Sequence, residues 1–326
     1  MTCLRKAAIV ACFAVTTSIA GTAFAPVRAQ GNPTKLPSAA AKNSATPALG
    51  RELSEQAKIY QSQGDVVPAD YVTDRSLLSY AITLLPEFDR SLAELGPTDR
   101  WLDIGAGEGQ AILDYYGSRY DAMHPEGREQ RGSKAQAVAI SIEDRRTEEW
   151  HQTAANLEPG KIKYFFGKPL SQYSADDLGK FRLATDVYGG FSYTPNLSRF
   201  IEKVLTSMES GGSFYTLLID VHPENWNKPP ARPRSGFQTE IVNADGSEIK
   251  VCSWLKRISC VQVTCEQDAK WDTPIERYRI QKTCADVKVP ALTSVHFAAG
   301  TPPARRFQSA GPSSAAPAVG PGRAAR

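Results

Sequence analysis

The residues best spaced for chemistry are Asp103, Gly105, Gly107 and Gly109, which alternate with Ile104, Ala106 and Glu108. Glycines at every second position let a turn be tight. They also let backbone N–H groups approach a ligand that a Cβ would fend off. Before them, Trp101 to Ile104 is a short apolar run broken only by its acid, which predicts a buried parallel strand. After them, Ala111, Ile112 and Tyr115 have helical spacing. Strand, Gly-rich turn and helix in that order open a nucleotide-binding α/β unit. A turn of this kind also occurs as plain punctuation, so the elements around it decide.

Those elements alternate. Residues 30–50 are rich in Ala, Pro, Ser and Asn without periodicity and read as a linker. A helical lead-in spans 51–96: Leu53, Ala57 and Tyr60 form one helical face. A second helix, capped by Asp74, buries Leu77, Leu78, Ala81, Ile82 and Leu85 and ends at Pro86. Further strands are expected at Ala135–Ile142, Lys161–Phe166, Phe181–Tyr188 and Ser213–Asp220. An amphipathic helix, Leu197 to Met208, is expected to stop at Gly211-Gly212. Beyond Asp220 the pattern changes. His222 to Gly236 reads as a loop, Thr239–Val242 and Glu248–Val251 as a hairpin, Trp254–Ile258 as a helical turn, and Val261–Cys265 with Ile275–Gln281 as an antiparallel pair. Residues 291–326 are Ala, Pro, Gly and Ser with scattered Arg, and are expected to be disordered. This order predicts an α/β domain over 51–290 with a mostly parallel sheet covered on both faces.

The bulk properties exclude several classes. The chain has 326 residues, 41% of them apolar, and a net charge of +3. Arg305, Arg306, Arg323 and Arg326 lie in a terminal stretch without acids, so the remainder is close to neutral. No nucleic-acid or membrane-surface partner follows from such a balance. Arg5 and Lys6 precede an uncharged stretch, Ala7 to Val27, followed by small-residue cleavage sites; cleavage after Ala29 is favoured. This is the layout of a signal peptide over 1–29, so export to a periplasmic or extracellular compartment is expected, with a membrane anchor as the alternative if the segment is uncleaved and a cytoplasmic location if the start is mis-called. No later segment is apolar for long enough to span a bilayer. Four cysteines remain after cleavage, Cys252, Cys260, Cys265 and Cys284. An even number in an exported chain favours two disulfides, with three pairings open. Their spacings do not suit a zinc site, and no metal is expected.

Taken in order, these motifs resemble those of the class I S-adenosylmethionine-dependent methyltransferases. Leu102-Asp103-Ile104-Gly105-Ala106-Gly107-Glu108-Gly109 is similar to their first motif. Phe181 to Asp186 resembles their fourth-strand motif, and Met208-Glu209-Ser210-Gly211-Gly212 the turn before their fifth strand. The final antiparallel pair matches their sixth and seventh strands. The resemblance covers roughly residues 70 to 285. It implies a Rossmann-like, doubly wound sheet of seven strands, one of them antiparallel, with S-adenosyl-L-methionine at the carboxyl ends of the early strands. It further implies that Gly105, Ala106, Gly107 and Gly109 approach the methionine part of the cofactor, with Glu108 in the same turn. Asp103 would hold the ammonium group, and Asp186 and Tyr188 would border the methyl donor.

The departures matter as well. Where the family's second strand ends in an acid that grips the ribose, this chain has Ser141, with Glu143 or Asp144 following; Glu143 is the candidate. After the third strand, Gly167-Lys168-Pro169 stands in place of an acid. The fourth-strand motif Asp186-Val187-Tyr188-Gly189 lacks the Pro-Pro-aromatic of nucleic-acid amino methyltransferases, which favours a small-molecule acceptor. Methyl transfer is catalysed mainly by alignment and a matched polar environment. A base is needed only if the acceptor must lose a proton, and His222, Tyr193 and Asp220 are the candidates. Two alternatives stay open: an exported binding protein that keeps the fold without turnover, and a nicotinamide-dependent enzyme, for which the later glycine of G-x-G-x-x-G is missing.

Overall fold

The computed structural model describes residues 75–117, 134–219, 237–268, 275–298 and 304–310. All belong to the unit Asn43–Arg326. The signal segment, the linker, the first lead-in helix, Asp74, Asp220, His222 and most of the loop 221–238 lie outside the described residues.

Two short helices lead in, α1 (Leu77–Thr83) and α2 (Glu87–Ala93). The cap of α1 is Ser76, whose hydroxyl accepts from the Ser79 N–H. Then come β1 (Arg100–Ile104), α3 (Gln110–Tyr116), β2 (Gln136–Ser141), α4 (Glu148–Asn156) and β3 (Ile162–Phe166). A 3-10 turn (Leu170–Gln172) and α5 (Ala175–Leu178) precede β4 (Phe181–Asp186). After β4 come α6 (Gly190–Tyr193), α7 (Leu197–Ser207) and β5 (Met208–Ile219). The remainder is β6 (Gln238–Val242), β7 (Glu248–Ile249), α8 (Val251–Leu255), β8 (Val261–Asp268), β9 (Ile275–Lys282), β10 (Leu292–Ala298) and β11 (Ala304–Ser309).

Seven strands form the main sheet in the order β3-β2-β1-β4-β5-β9-β8. β1 pairs parallel with β2 and β4, and β9 is antiparallel to both β5 and β8. Only β9 therefore runs against the others. This is the doubly wound, Rossmann-like arrangement that the sequence predicts, with the order reversing beside β1. Alternation along the central strands divides the core. Trp101, Ala137, Leu183 and Tyr215 face α1–α4. Leu102, Val138, Ala184 and Phe214 face α7, α8 and part of a second sheet. Burial on both faces explains why these strands read as continuous apolar runs.

Two expectations are corrected. The helix α7 ends at Ser207, before the glycine pair, because Met208 is already extended and pairs with Phe181. The glycines instead sit where the β4–β5 register shifts, with Gly211 at φ 84°. The second correction is larger. The terminal stretch is not disordered from residue 291, because β10 and β11 lie within it and complete a four-stranded sheet, β10-β11-β6-β7. Ala304, Arg305, Phe307 and Ser309 are buried there. The domain thus extends to at least Ala310.

The cysteines join as Cys252–Cys265 and Cys260–Cys284, with Cα separations of 6.1 and 5.0 Å. Both clamp α8 and its following turn to the β8–β9 pair. Glu276 lies near Cys252 and Cys265, but the bonded sulfurs leave no thiolates to complete a metal site there. Among the described residues, no helix is long and apolar enough to cross a membrane.

Candidate functional site

The glycine turn is built by its neighbours. The N–H groups of Gly105 and Ala106 both donate to the Ile140 carbonyl, tying the end of β1 to the end of β2. Gly105, Gly107 and Gly109 have φ of 75°, 58° and 85°, a region costly for any residue with a Cβ. At Gly105 a Cβ would also stand 2.6 Å from Gly189 Cα. The turn after β1 and the turn after β4 therefore touch backbone to backbone. The Gly107 carbonyl accepts from the Tyr164 hydroxyl of β3, which fixes the middle of the turn.

Above these turns lies an open cleft of about 280 Å³ at the carboxyl ends of β1, β2, β3 and β4. Ile104, Gly105 and Gly107 come from the first turn, and Ile140, Ser141 and Ile142 from the end of β2. Lys168 to Ser171 follow β3, and Tyr188, Gly189 and Gly190 follow β4. Tyr193, Thr194, Asn196, Arg199 and Phe200 continue the last wall, and Arg75 enters from before α1. Open α/β sheets bind ligands at this end, beside the strand where the order reverses.

Among the candidates, Gly105, Gly107, Tyr188 and Tyr193 line the cleft together. Tyr188 has φ 55°, a strained position for an aromatic residue, and the Arg75 guanidinium carbon lies 4.8 Å from its ring centroid. Tyr193 is buried, with its ring centroid 6.4 Å from that of Phe237. Ala106, Glu108 and Gly109 do not line the cleft. Ala106 is buried, and Gly109 starts α3 so close to Trp150 that a Cβ would lie 2.5 Å from its ring.

The acids are placed differently from the expectation. Asp103 is 0% exposed and does not line the cleft. It accepts from the Tyr80 hydroxyl at 3.0 Å and from Thr185 Oγ1 at 2.8 Å, while Trp101 Nε1 donates to Thr185. Burial raises its carboxyl to about 7, although the Thr185 and Tyr80 hydroxyls pull the other way. Asp186 is also fully buried. It accepts from the N–H groups of Gly189 and Phe191 at 2.9 and 3.0 Å, and burial raises it to about 7 against those bonds. Asp186 thus shapes the wall without bordering the cleft. Glu143 is turned to Arg145, 3.5 Å away, and Ser141 is the cleft-lining residue at the end of β2.

Arg305 escaped the sequence reading. It is 0% exposed and donates to the Phe191 carbonyl, to the Thr194 carbonyl at 2.8 Å and to Thr239 Oγ1 at 2.8 Å. Asp186 exerts an attractive field on its guanidinium. Strand β11 thereby holds α6, which carries the cleft-lining Gly190 and Tyr193. An arginine in an Ala- and Pro-rich stretch gives no local signal of this. Arg75 and Arg199 were missed for the same reason: nothing in their neighbours points at the cleft, whereas Lys168 stands in the segment after the third strand that the sequence marks as a departure.

No family model and no curated protein matches the chain. Among solved structures, the chain is similar to a SAM-dependent methyltransferase from Aquifex aeolicus: 13% identity, 66% of this chain and 99% of that one covered, TM-score 0.40. It is similar to an rRNA methylase from Streptococcus thermophilus, with 14% identity, 60% and 93% covered and TM-score 0.37. It is also similar to the N-methyltransferase NodS from Bradyrhizobium japonicum in complex with S-adenosyl-L-homocysteine, with 12% identity, 70% and 98% covered and TM-score 0.37. At these identities and scores the likeness carries no function across. The fold assignment rests on the strand order itself.

Proposed function

We propose that this chain binds S-adenosyl-L-methionine in the cleft and transfers its methyl group to a small-molecule acceptor. The observation that carries the reading is the turn Gly105 to Gly107, held open at positive φ and lining a cleft at the carboxyl end of β1. When bound, the cofactor supplies an activated methyl group on a sulfonium.

The chain's own residues suit that ligand in part. Gly105 and Gly107 let backbone approach its amino-acid portion. Arg75, braced over Tyr188, offers a cation to the cofactor's carboxylate. Ser141 lines the cleft at the end of β2, where a ribose would be expected, but it is 3% exposed and its hydroxyl is engaged with Tyr164. Ile104, Ile140, Leu170 and Phe200 supply apolar walls that exclude water from part of the cleft. With neither Asp103 nor Asp186 open to the cleft, an ammonium group finds no side-chain carboxylate among the described lining residues. Alignment between the two turns then accounts for most of the catalysis, which is what an in-line displacement requires. Tyr193 lines the cleft and is the described candidate for general base, a role in which its phenolate, the proton already lost to solvent, takes the acceptor's proton.

Export belongs to the same proposal. Two cysteine pairs at bonding distance are compatible with an oxidising compartment. Fractionation of the native host, followed by immunodetection, tests it.

The function is tested by titrating the purified protein with S-adenosyl-L-methionine and S-adenosyl-L-homocysteine in a calorimeter. Saturable heat from either is expected. Gly107→Val places a branched side chain at φ 58° on the cleft floor and is expected to abolish that heat. No heat at millimolar ligand, from protein shown to be folded by circular dichroism, would sink the reading.

A further inference from the structure

The charges around the cleft are one-sided. Among the described residues that line it, the charged side chains are Arg75, Lys168 and Arg199, and none is Asp or Glu. Of the acids near lining residues in sequence, Asp103 and Asp186 are sealed at 0% exposure and occupied by Tyr80, Thr185, Gly189 and Phe191. Glu108 and Glu143 are partly exposed but do not line the cleft, Glu143 lying 3.5 Å from Arg145. Lys168 and Arg199 are both exposed, and no carboxylate among the described residues lies at ion-pair distance from either. Asp177 exerts a field toward Lys168 without pairing with it.

Lys168 and Arg199 also belong to segments that are held together. Lys203 of α7 donates from Nζ to the Tyr173 carbonyl at 2.6 Å, fastening the helix that carries Arg199 to the segment after β3 that carries Lys168. The two cations therefore stand on joined segments and line one cleft, where apolar walls strengthen their field. A sulfonium donor would add another positive charge to this surrounding. A second ligand that brings a negative charge relieves the imbalance; a neutral or cationic one does not.

We infer that the cleft recognises its second ligand, the methyl acceptor, by an oxyanion, a carboxylate or a phosphate, received by Lys168 and Arg199. The inference rests on the methyltransferase reading for the word acceptor, but the anion preference stands on the lining charges alone. The oxyanion is a handle that orients the acceptor.

The test uses the purified full chain and three fluorinated probes, 4-fluorobenzoate, 4-fluorophenyl phosphate and neutral 4-fluorobenzamide. Binding is followed by 19F line broadening at low and at physiological salt. At least one anion is expected to bind roughly tenfold more tightly than the amide, with the preference shrinking as salt rises. The stronger of the two anions identifies the acceptor's acid as carboxylate or phosphate. The doubly charge-neutralised variant, Lys168→Gln with Arg199→Gln, is expected to lose the preference, and the charge-retaining Lys168→Arg with Arg199→Lys to keep it. Both positions are exposed, so the fold tolerates the changes. Equal binding of all three probes, or an unchanged preference in the neutralised variant, overturns the inference. The calorimetric titration with S-adenosyl-L-homocysteine is read separately. Anion binding without homocysteine-cofactor binding overturns the methyltransferase reading and leaves the anion site standing; the reverse result does the opposite.

Discussion

Arg305 and Phe191 stand 114 residues apart in sequence, and the guanidinium of one donates to the carbonyl of the other in the protein interior. The N–H of the same Phe191 donates to Asp186. One residue of α6 is thus gripped from both sides, by the last strand of the second sheet and by the end of β4. The cleft wall from Gly189 to Thr194 takes its shape from that grip.

Removing the grip should be costly. Arg305→Met leaves the buried Phe191 carbonyl, the part-buried Thr194 carbonyl and the Thr239 hydroxyl without their donor, and is expected to destabilise by roughly 3 kcal/mol in urea unfolding. Arg305→Lys keeps the charge but not the fork, and should fall between. In the same variants, hydrogen exchange in 189–196 should rise ahead of exchange in β2. A uniform rise across the chain would mean that Arg305 serves general stability alone.

The two turns that meet at Gly105 and Gly189 give a second prediction. Gly105→Ala meets both left-handed strain and a Cβ only 2.6 Å from Gly189 Cα. Strain of about 1–2 kcal/mol and overpacking of about 1–3 kcal/mol should add there. Gly167→Ala has the same kind of φ, 81°, but no atom within 4 Å of the new Cβ. It should cost about 1 kcal/mol, from strain alone. Denaturant midpoints of the two variants check the contrast, and equal losses would show that the contact between turns yields easily.

Stability should depend on pH through Asp103 and Asp186. Burial raises both from an unfolded value of 3.8 to about 7. The folded state then binds these protons more tightly than the unfolded chain, so the contribution is present below 3.8 and is lost as pH rises to about 7. Asp103→Asn removes one titrating group while keeping an oxygen for Tyr80 and Thr185. The melting temperature of the wild type relative to this variant should therefore fall as pH rises through that window. Calorimetric scans at several pH values decide it; a flat difference would count against a raised Asp103.

The disulfides enclose sequence separations of 13 and 24 residues. Loop closure alone makes each worth about 3 kcal/mol, so reduction should lower the unfolding free energy well before any cofactor test is made. Peptide mapping without reduction should recover Cys252 with Cys265 and Cys260 with Cys284. Any other pairing would contradict the packing of α8 on β8 and β9.

Much of the fold was legible because its signals are local. Trp101 to Ile104, Ala137 to Ile140 and Phe214 to Leu218 are buried on both faces and apolar but for Asp103 and Thr216, the pattern of a parallel sheet covered on both sides. The alternating glycines from 105 to 109 declared a turn because no other residue takes those φ values cheaply. The even cysteine count announced disulfides without choosing among pairings. What the tertiary structure alone decided is which polar groups face the cleft. Asp103 sits at the motif's acidic position, yet Tyr80 and Thr185, from α1 and β4, claim both its oxygens. Arg305 lies in a stretch whose composition reads as disorder. It is ordered because β11 pairs with β6 and places the guanidinium against Thr239, Thr194 and Phe191. Strand periodicity depends on neighbours along the chain and can be read from it. Satisfying a buried charge depends on neighbours across space, which only the folded chain brings together.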